Sequence, residues 1–450
     1  MNRAKKSLVL LLALCMVFAI VMAGCTEAPP AQPADQVDKP ADPADPAKPA
    51  EPAADTDGEM HELYTLLPQT SLTGVFSPDL PDRANIDKAW PKTPKDPNKI
   101  VIGWTEITLG NPWFVEMARA AEETAAKYGF QLDMLVADGS VERQSEHIDT
   151  FITRGVDIIV VDPCDVLGPV NDIKRAVEAG IPVVGMGTVM DESAPILTTV
   201  ILNPFEVGYS AGQYVSTYFE PDQNVNLAIV LGVMGNSTSE SRICGGISGM
   251  IAERQRQNGT FVSKEDAILA GYKLFDQVKR TGRGEDSVNK FTVLAYGDGQ
   301  WTEEGGLAVT EDILTAVGDQ LDLIIACNDF EALGALKAVQ ARGLQDSIKI
   351  AAFADGAKTG LDAVIAGDLI CSGTFGGPGF GAHTIEFIKA IFIDGKDPSN
   401  LPMGTFGPVS VINRENMDQF YDDDPSNLFY KIPDFEFPKS IPEIKASFGN

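Results

Sequence analysis

The sequence predicts an α/β fold with two Rossmann-like lobes, each built on a parallel β-sheet with helices on its faces. From Lys99 onward, apolar runs of strand length alternate with amphipathic segments of helix length, which is typical of parallel βαβ units. The chain beyond residue 57 has about 390 residues, more than one hydrophobic core usually holds. The strand-like runs fall into two successive sets, so we expect two sheets.

Ten apolar runs are predicted as strands. The first set comprises residues 100–104, 131–136, 157–161, 182–186 and 200–202. The second set comprises residues 226–231, 291–295, 321–326, 348–353 and 369–374. Helices are predicted at residues 114–128, 144–154, 170–179, 303–317 and 332–342. In the last of these, Leu333, Leu336 and Val339 share one face, and we expect that face to pack on a sheet.

Three segments do not follow this pattern. Residues 58–98 carry scattered apolar residues and prolines, and the sequence does not assign them to either lobe. Residues 258–289 are interpreted as an irregular, charged insertion. The chain after Pro425 is rich in proline and bulky aromatic residues. We expect the last two segments to decorate the second lobe.

The amino terminus has the form of a secretory signal peptide. A basic start is followed by an apolar run at residues 8–22 and then by Ala23-Gly24-Cys25. The run is shorter than the roughly 20 residues of a membrane-spanning helix. Residues 1–24 resemble a bacterial lipoprotein signal, which implies cleavage before Cys25 and lipidation of that cysteine. An ordinary signal or an uncleaved anchor is the alternative.

Residues 25–57 are predicted to be a disordered linker. They consist mainly of Ala, Pro, Asp and Glu, with too little apolar surface to form a core. A linker of this kind would hold the folded part away from a membrane surface. The whole chain has a formal net charge of −29, which argues against binding to nucleic acids or anionic lipids.

The cysteines and histidines give no sign of a metal centre. Four cysteines lie beyond the linker, namely Cys164, Cys244, Cys327 and Cys371. They form no CxxC motif, and we expect buried free thiols, although an exported protein could pair them. The histidines are His61, His147 and His383, and they are not clustered. We therefore expect neither a metal site nor a cofactor.

Several short motifs occur in order along residues 99–411. They include Asn111-Pro112-Trp113-Phe114, Val161-Asp162-Pro163, Gly180-Ile181-Pro182-Val183-Val184, Gly235-Asn236-Ser237 followed by Arg242, Ala326-Cys327-Asn328-Asp329 leading into Ala332-Leu333-Gly334, and Phe353-Ala354-Asp355-Gly356. Through these motifs the chain resembles the ribose- and galactose-type periplasmic binding proteins. The resemblance implies a periplasmic binding protein fold of type 1, with a three-strand hinge near Asn203, Phe375 and Gly404. The amino-terminal lobe would comprise residues 98–203 and 376–405, and the carboxyl-terminal lobe residues 204–375 and 406–450.

The resemblance also implies a function. The chain would be the extracytoplasmic solute-binding lipoprotein of an ABC importer, anchored to the cell membrane, and it would capture a small polar ligand by closure of the two lobes. A sugar is the ligand we expect. Its partners would be a membrane permease and an ATPase, and we expect a monomer with no catalytic activity.

The expected binding residues follow predicted strands, where parallel sheets present their loops to ligands. Trp113, Phe114 and Trp301 would pack on the faces of a sugar ring, whose C–H groups suit aromatic planes. The hydroxyl groups would be bound by other residues, namely Arg242, Asn328 and Asp355, with Asn111 and Asp162 behind them. Phe375 lies at the second hinge crossing and completes the candidate site.

Two positions depart from the ribose-type pattern. Gly187-Thr188 stands where those proteins place an Asp-Arg pair, and Phe375 stands where they use a glutamine. Two hydroxyl-binding positions have therefore become small or apolar. Ribose is doubtful as the ligand, and a deoxy, methylated, bulkier or non-sugar ligand is open.

Each candidate residue also has a structural interpretation. Asn328 and Asp329 could cap a helix, while Asn111, Asp162 and Asp355 could form turns. Phe114 and Trp301 could pack in a core or on the surface, and Arg242 could be a solvated helix residue.

Other functions are open as well. A binding protein for a chemoreceptor or sensor kinase would use the same fold, and nucleosides or a furanosyl signalling molecule are rival ligands. A lipid-anchored hydrolase is a further alternative, because Gly208-Tyr209-Ser210-Ala211-Gly212 matches the nucleophile-elbow pattern GxSxG. That pattern requires a turn directly after a strand, and five residues intervene here. We expect Ser210 to lie inside a helix. The glycine-rich stretch Gly377-Pro378-Gly379 fits a hinge crossing better than a dinucleotide-binding turn.

Overall fold

A computed structural model describes residues 61–63, 86–97 and 99–448 of the chain. The predicted signal peptide (residues 1–24), the lipidation site Cys25 and the predicted linker (residues 25–57) lie outside the described residues. Across the described part, no helix combines the length and the apolar character that crossing a membrane requires.

The first sheet is entirely parallel. Its strands are β1 (Val101–Glu106), β2 (Gln131–Val136), β3 (Ile158–Val161), β4 (Val183–Met186), β5 (Thr199–Leu202) and β12 (Gly404–Gly407). They are arranged in the order β12-β5-β4-β3-β1-β2. The helices that accompany this sheet are Pro112–Tyr128, Val141–Arg154, Val170–Glu178 and Gly377–Phe392. The last helix comes late in the chain and packs on the helix Pro112–Tyr128, where a Cβ at Gly381 would lie 2.0 Å from Met117 O.

The second sheet has five strands. They are β6 (Val225–Leu231), β7 (Gly284–Asp286), β8 (Phe291–Asp298), β9 (Leu323–Ala326) and β10 (Lys349–Ala352). Their order is β10-β9-β6-β8-β7, and only β7 is antiparallel to its neighbour among these described strands. The accompanying helices are Pro204–Ser216, Ser237–Gln257, Lys264–Thr281, Glu303–Val317, Asp329–Ala341 and Lys358–Ala366.

Small elements complete the described fold. Strands β11 (Ser372–Gly373) and β13 (Val411–Ile412) form a two-stranded antiparallel sheet. A 3-10 helix spans Gly318–Gln320, and the short helices Met417–Phe420 and Ile441–Phe448 lie near the carboxyl terminus.

The predicted α/β architecture with parallel sheets is confirmed, and nine of the ten predicted runs contain strands of the two sheets. The run at residues 369–374 differs from its prediction. The main chain of Ile370 and Cys371 bonds to β10 at 2.8 and 3.1 Å, but the regular strand there is β11, which pairs with β13 instead. This run leaves the second sheet after Cys371, and its next residues pair with β13.

The interpretation of residues 258–289 as an irregular insertion is wrong. This segment contains the 18-residue helix Lys264–Thr281, capped by the Ser263 side chain at its start and by Gly282 in the left-handed region at its end. Its buried residues recur every three or four positions, as at Ile268, Gly271, Leu274, Phe275 and Val278. The charged residues between them obscured this periodicity in the sequence.

The carboxyl-terminal tail contacts both lobes. The Tyr430 main chain donates a hydrogen bond to Gly356 O of the second lobe at 2.9 Å. Beyond it, Phe437 stacks on Phe387 of the first lobe, with ring centroids 5.7 Å apart, and Phe435 packs against the same core. These contacts differ from the expected assignment of all of residues 406–450 to the second lobe. The sequence could not reveal this crossing, because it depends on tertiary contacts.

Two helices of the second lobe pack through glycines. A Cβ at Gly208 would lie 2.0 Å from Arg242 O, and a Cβ at Gly212 would lie 2.0 Å from Gly246 O. Any larger side chain would force the helices Pro204–Ser216 and Ser237–Gln257 apart. Ser210 lies within the first of these helices, as expected, and not on a strand-to-helix turn.

Candidate functional site

A cavity of about 240 Å³ lies between the carboxyl ends of strands from the two sheets. Its lining includes all nine predicted binding residues, namely Asn111, Trp113, Phe114, Asp162, Arg242, Trp301, Asn328, Asp355 and Phe375. Further lining residues, which were not predicted as ligands, are Ile107, Thr108, Gly187, Thr188, Asn236 and Thr238. The fold thus gathers side chains that are far apart in the sequence around one cavity. Their contact with a ligand stays a prediction.

Arg242 and Asp355 form a buried charge pair on the second-lobe side. Arg242 Nη1 lies 3.8 Å from Asp355 Oδ1 and donates a hydrogen bond to Cys327 O at 2.8 Å. Arg242 Nε is buried and has no hydrogen-bond partner among the described residues. Burial raises the pKa of Asp355 to about 6, although Arg242 opposes the shift. The pair therefore retains hydrogen-bonding capacity that a polar ligand could use.

Two aromatic rings pack against the Arg242 guanidinium. Its central carbon lies 4.3 Å from the ring centroid of Phe375 and 5.7 Å from that of Trp301. The Phe375 main-chain oxygen in turn accepts a hydrogen bond from Trp113 Nε1 at 2.8 Å. Phe375, which replaces a polar residue of the ribose-type pattern, thus contacts both Trp113 of the first lobe and Arg242 of the charge pair in the second lobe.

Trp301 and Asp355 are held in a backbone conformation that is unusual for residues with a side chain. Their φ angles are 61° and 93°. This region costs L-residues free energy, and such strain is concentrated at functional positions. The Trp301 ring lies directly against Gly232, where a Cβ would come within 2.5 Å of three indole carbons. The strain supports the interpretation of both residues as parts of the site.

Asn328 caps a helix and also lines the cavity, and its contact with a ligand stays a prediction. Its Oδ1 accepts a hydrogen bond from Glu331 N at 2.9 Å and so caps the helix Asp329–Ala341. Its Nδ2 donates to Trp301 O at 3.3 Å, and the residue also lines the cavity. Asn111 likewise caps its helix, since Oδ1 accepts hydrogen bonds from Trp113 N and Phe114 N at 2.8 and 3.4 Å. Asp329 accepts a hydrogen bond from Ala357 N and does not line the cavity.

A carboxyl pair lies on the first-lobe side of the cavity. Asp162 lines the cavity and is hydrogen-bonded to Glu106, the fully buried last residue of β1. Glu106 also accepts hydrogen bonds from Trp104 Nε1 at 3.0 Å and from Ile107 N at 3.1 Å. Burial raises the pKa of Glu106 to about 7, and burial together with the Glu106 charge raises the pKa of Asp162 well above its usual range. Both carboxyl groups are therefore protonated more readily than exposed ones.

The glycine at position 187 lies close beside this carboxyl pair. Gly187 has a φ of 74°, and a Cβ there would lie 3.0 Å from Asp162 Oδ1. The positions of the charged side chains in the ribose-type pattern are thus taken by a glycine close to Asp162 and by Thr188, and both line the cavity. The first-lobe side of the cavity presents carboxyl and aromatic groups, and its lining contains neither arginine nor lysine.

Besides the further lining residues, sequence reasoning missed three residues that support the lining from behind: Glu106, Gly232 and Glu331. Glu331 accepts a hydrogen bond from Trp301 N at 2.9 Å through Oε1. The position of Glu106 at the carboxyl end of a predicted strand was the one usable signal. The roles of Gly232 and Glu331 depend on contacts with a distant residue.

The other buried candidates are less suited to binding a polar ligand. Cys244, Cys327 and Cys371 are buried free thiols as expected, and Cys164 is a half-buried one. A larger hollow of about 510 Å³ lies beneath the carboxyl-terminal tail, with mainly apolar side chains such as Leu202, Phe380 and Phe437 in its lining. We therefore assign the candidate site to the smaller cavity, where the Arg242–Asp355 charge pair and the carboxyl group of Asp162 lie.

Comparison with protein families gives one match over most of the chain. A family model described as periplasmic binding protein domain matches residues 102–397. The ribose import binding protein RbsB of Escherichia coli is 26% identical over 271 residues, covering 60% of this chain and 77% of that protein. The fructose import binding protein FruE of Bifidobacterium longum is 27% identical over 261 residues, covering 57% and 67%.

Solved structures show the same fold. A periplasmic solute-binding protein from Actinobacillus succinogenes with bound D-allose superposes with a TM-score of 0.57 at 23% identity, covering 71% of this chain and 99% of that chain. A solute-binding protein from Bacillus halodurans with bound myo-inositol also gives 0.57, at 22% identity, covering 72% and 98%. Both have the two-lobed fold of type 1 periplasmic binding proteins, which the sequence predicted for this chain.

Proposed function

This chain belongs to the periplasmic binding protein family, and on that premise we propose that it is the solute-binding protein of an ABC importer with a sugar as its ligand. The observation that carries the proposal is the buried Arg242–Asp355 pair, set between aromatic rings at one cavity. Aromatic planes and charged hydrogen-bonding groups are the two kinds of contact that a sugar ring needs.

The size of the cavity favours a single sugar ring. Its volume of about 240 Å³ is below the roughly 300–1,000 Å³ of sites for drug-sized ligands. Trp113, Phe114 and Trp301 would pack on the ring, while Arg242 and Asp355 would bind its hydroxyl groups. A ligand that touches both lobes would favour their closed arrangement by its extra contacts there, and that arrangement would dock on the permease.

The cellular setting is part of the same proposal. Residues 1–24 would direct export, lipidated Cys25 would anchor the protein to the cell membrane, and residues 25–57 would tether the folded part outside the cytoplasm. A permease and an ATPase would complete the importer. We propose no catalytic role, and the helical position of Ser210 supports that choice.

A thermal-shift panel tests the proposal. Neutral monosaccharides, polyols and nucleosides would be compared with matched uronic acids, because a ligand that prefers the folded state raises its melting temperature. We expect a neutral sugar to give a clear shift. The matched uronate should give a smaller one, since Asp162 and Asp355 outnumber the single cation Arg242 in the lining. If nucleosides stabilise the protein and no sugar does, the sugar assignment fails.

Trp301→Ala is expected to weaken binding of that sugar about tenfold, because aromatic stacking contributes on the order of 1 kcal/mol or more. Isothermal titration calorimetry measures this loss. Val288→Ala, at a side chain that is 83% exposed, is the matched control and should bind like the unmodified protein. Full affinity in Trp301→Ala would place the sugar elsewhere.

A further inference from the structure

The position of the Trp301 indole, which lines the cavity, depends on a strained backbone turn. Gln300 and Trp301 are consecutive non-glycine residues with φ angles of 55° and 61°. The Trp301 indole lies so close to Gly232 that a Cβ there would come within 2.5 Å of the ring. If the turn relaxed to an ordinary conformation, the ring would leave this position. Other contacts must therefore hold the turn in place.

Two side chains at the start of one helix, those of Asn328 and Glu331, form hydrogen bonds with the main chain of Trp301. Glu331 Oε1 accepts a hydrogen bond from Trp301 N at 2.9 Å, and Asn328 Nδ2 donates one to Trp301 O at 3.3 Å. Asn328 Oδ1 also accepts a hydrogen bond from Glu331 N at 2.9 Å. The three residues form a closed set of hydrogen bonds that joins the strained turn to the helix Asp329–Ala341.

Glu331 is placed unusually for a glutamate in the first turn of a helix. It is fully buried, and a Cβ at Gly299 would lie 2.7 Å from its Oε1. Its Oε2 has no hydrogen-bond partner among the described residues. A buried carboxyl group costs stability, so packing alone does not explain why the residue is a glutamate. The hydrogen bond that Glu331 accepts from Trp301 N explains a carboxyl group at this position.

The protonation state of Glu331 suits an acceptor role. Burial raises the pKa of Glu331 to about 8, with a further increase from Asp355 and opposing effects from Trp301 N and Arg242. The group is therefore mostly neutral at pH 7, and a glutamine would offer the same acceptor oxygen. Glu331 does not line the cavity, so it would act on the ligand only through Trp301.

We propose that Glu331 is a positioning residue, which fixes the Trp301 turn and so places the Trp301 indole against the ligand. The effect on sugar affinity rests on the proposed function, whereas the effect on the position of Trp301 does not. Glu331 would thereby be a determinant of affinity that never touches the ligand.

Matched variants of the full-length protein test this role. Glu331→Gln keeps the acceptor, whereas Glu331→Leu and Glu331→Met fill similar space without one. We expect the Leu and Met variants to bind the sugar found by the thermal-shift panel about tenfold more weakly, the same loss as in Trp301→Ala. Glu331→Gln should retain affinity within about twofold, a difference below about 0.5 kcal/mol.

Tryptophan fluorescence of the unliganded protein reports the position of Trp301 directly. Glu331→Leu should shift the emission, and Glu331→Gln should not. In a Trp301→Phe background, Glu331→Leu should leave the emission of that background unchanged, which assigns the signal to Trp301. Glu331→Met serves the same comparison if the Leu variant does not unfold cooperatively.

The outcomes separate this inference from the proposed function. Unchanged emission and unchanged affinity in the Leu and Met variants would overturn the positioning role. Equal losses in Glu331→Gln and Glu331→Leu would also overturn it, because the glutamine keeps the acceptor. If no sugar binds the unmodified protein, the proposed function fails while the emission comparison still decides the role of Glu331.

Discussion

Arg242→Met is expected to remove most of the sugar affinity, by about a hundredfold or more, and to lower the stability of the folded protein. Arg242 is 2% exposed, and its removal would leave Asp355 buried with no compensating charge. Breaking a buried ion pair from one side typically costs about 3–5 kcal/mol. Methionine keeps much of the aliphatic length of the side chain but not the guanidinium that packs on Phe375, so the loss would arise from the guanidinium group. Calorimetry measures the affinity, and urea unfolding measures the stability.

The double variant Arg242→Met/Asp355→Asn separates these two effects. It removes the uncompensated carboxylate, so stability should recover partly while affinity stays low. Arg283→Met, at an exposed arginine of the second lobe, is the matched control and should change neither quantity. Binding by Arg242→Met at the level of the control would show that the guanidinium does not contact the ligand.

The stability of the protein is expected to fall as the pH rises from about 6.5 to 8. Burial raises the pKa of Glu106 to about 7 and that of Glu331 to about 8, so the folded state holds protons that the unfolded chain releases near pH 4. When the folded state binds more protons, a rising pH favours unfolding, by about 1.4 kcal/mol per pH unit for each proton. Burial lowers the pKa of His147 and His383, which acts in the opposite direction below about pH 6.5.

Urea unfolding at a series of pH values checks this trend. Glu331→Gln should flatten the decline between pH 6.5 and 8, because it removes one of the buried carboxyl groups that hold a proton there. At pH 8 this variant should be more stable than the unmodified protein, provided that the Trp301 turn is kept. A stability that rises steadily from pH 6.5 to 8 would contradict the assignment of these buried carboxyl groups.

The sequence was sufficient for the sheets and for the residues that directly follow strands. Parallel strands of one sheet bring their carboxyl ends together, so Asn328 and Asp355 could be placed near one another from the strand positions. Asp162 follows a strand of the other sheet, and its place at the same cleft came from the resemblance to a known family. Arg242 and Trp301 were predicted by their resemblance to a family pattern. These predictions needed only strand positions and a shared fold.

The missed features depend on contacts between distant parts of the chain. Glu331 resembles an ordinary acidic residue in the first turn of a helix, and nothing local indicates that Trp301 N reaches it. The helix Lys264–Thr281 was hidden because its charged residues lie between regularly spaced apolar ones. The return of the tail to Phe387 is likewise a tertiary contact.

A crystal structure of the protein with the sugar found by thermal shift tests the central claim most directly. The sugar ring should lie in the cavity of about 240 Å³, packed against Trp301 and hydrogen-bonded to Arg242 and Asp355. Its contacts should come from both lobes. A sugar bound in the hollow beneath the tail, or on one lobe alone without contact to Arg242, would contradict the claim.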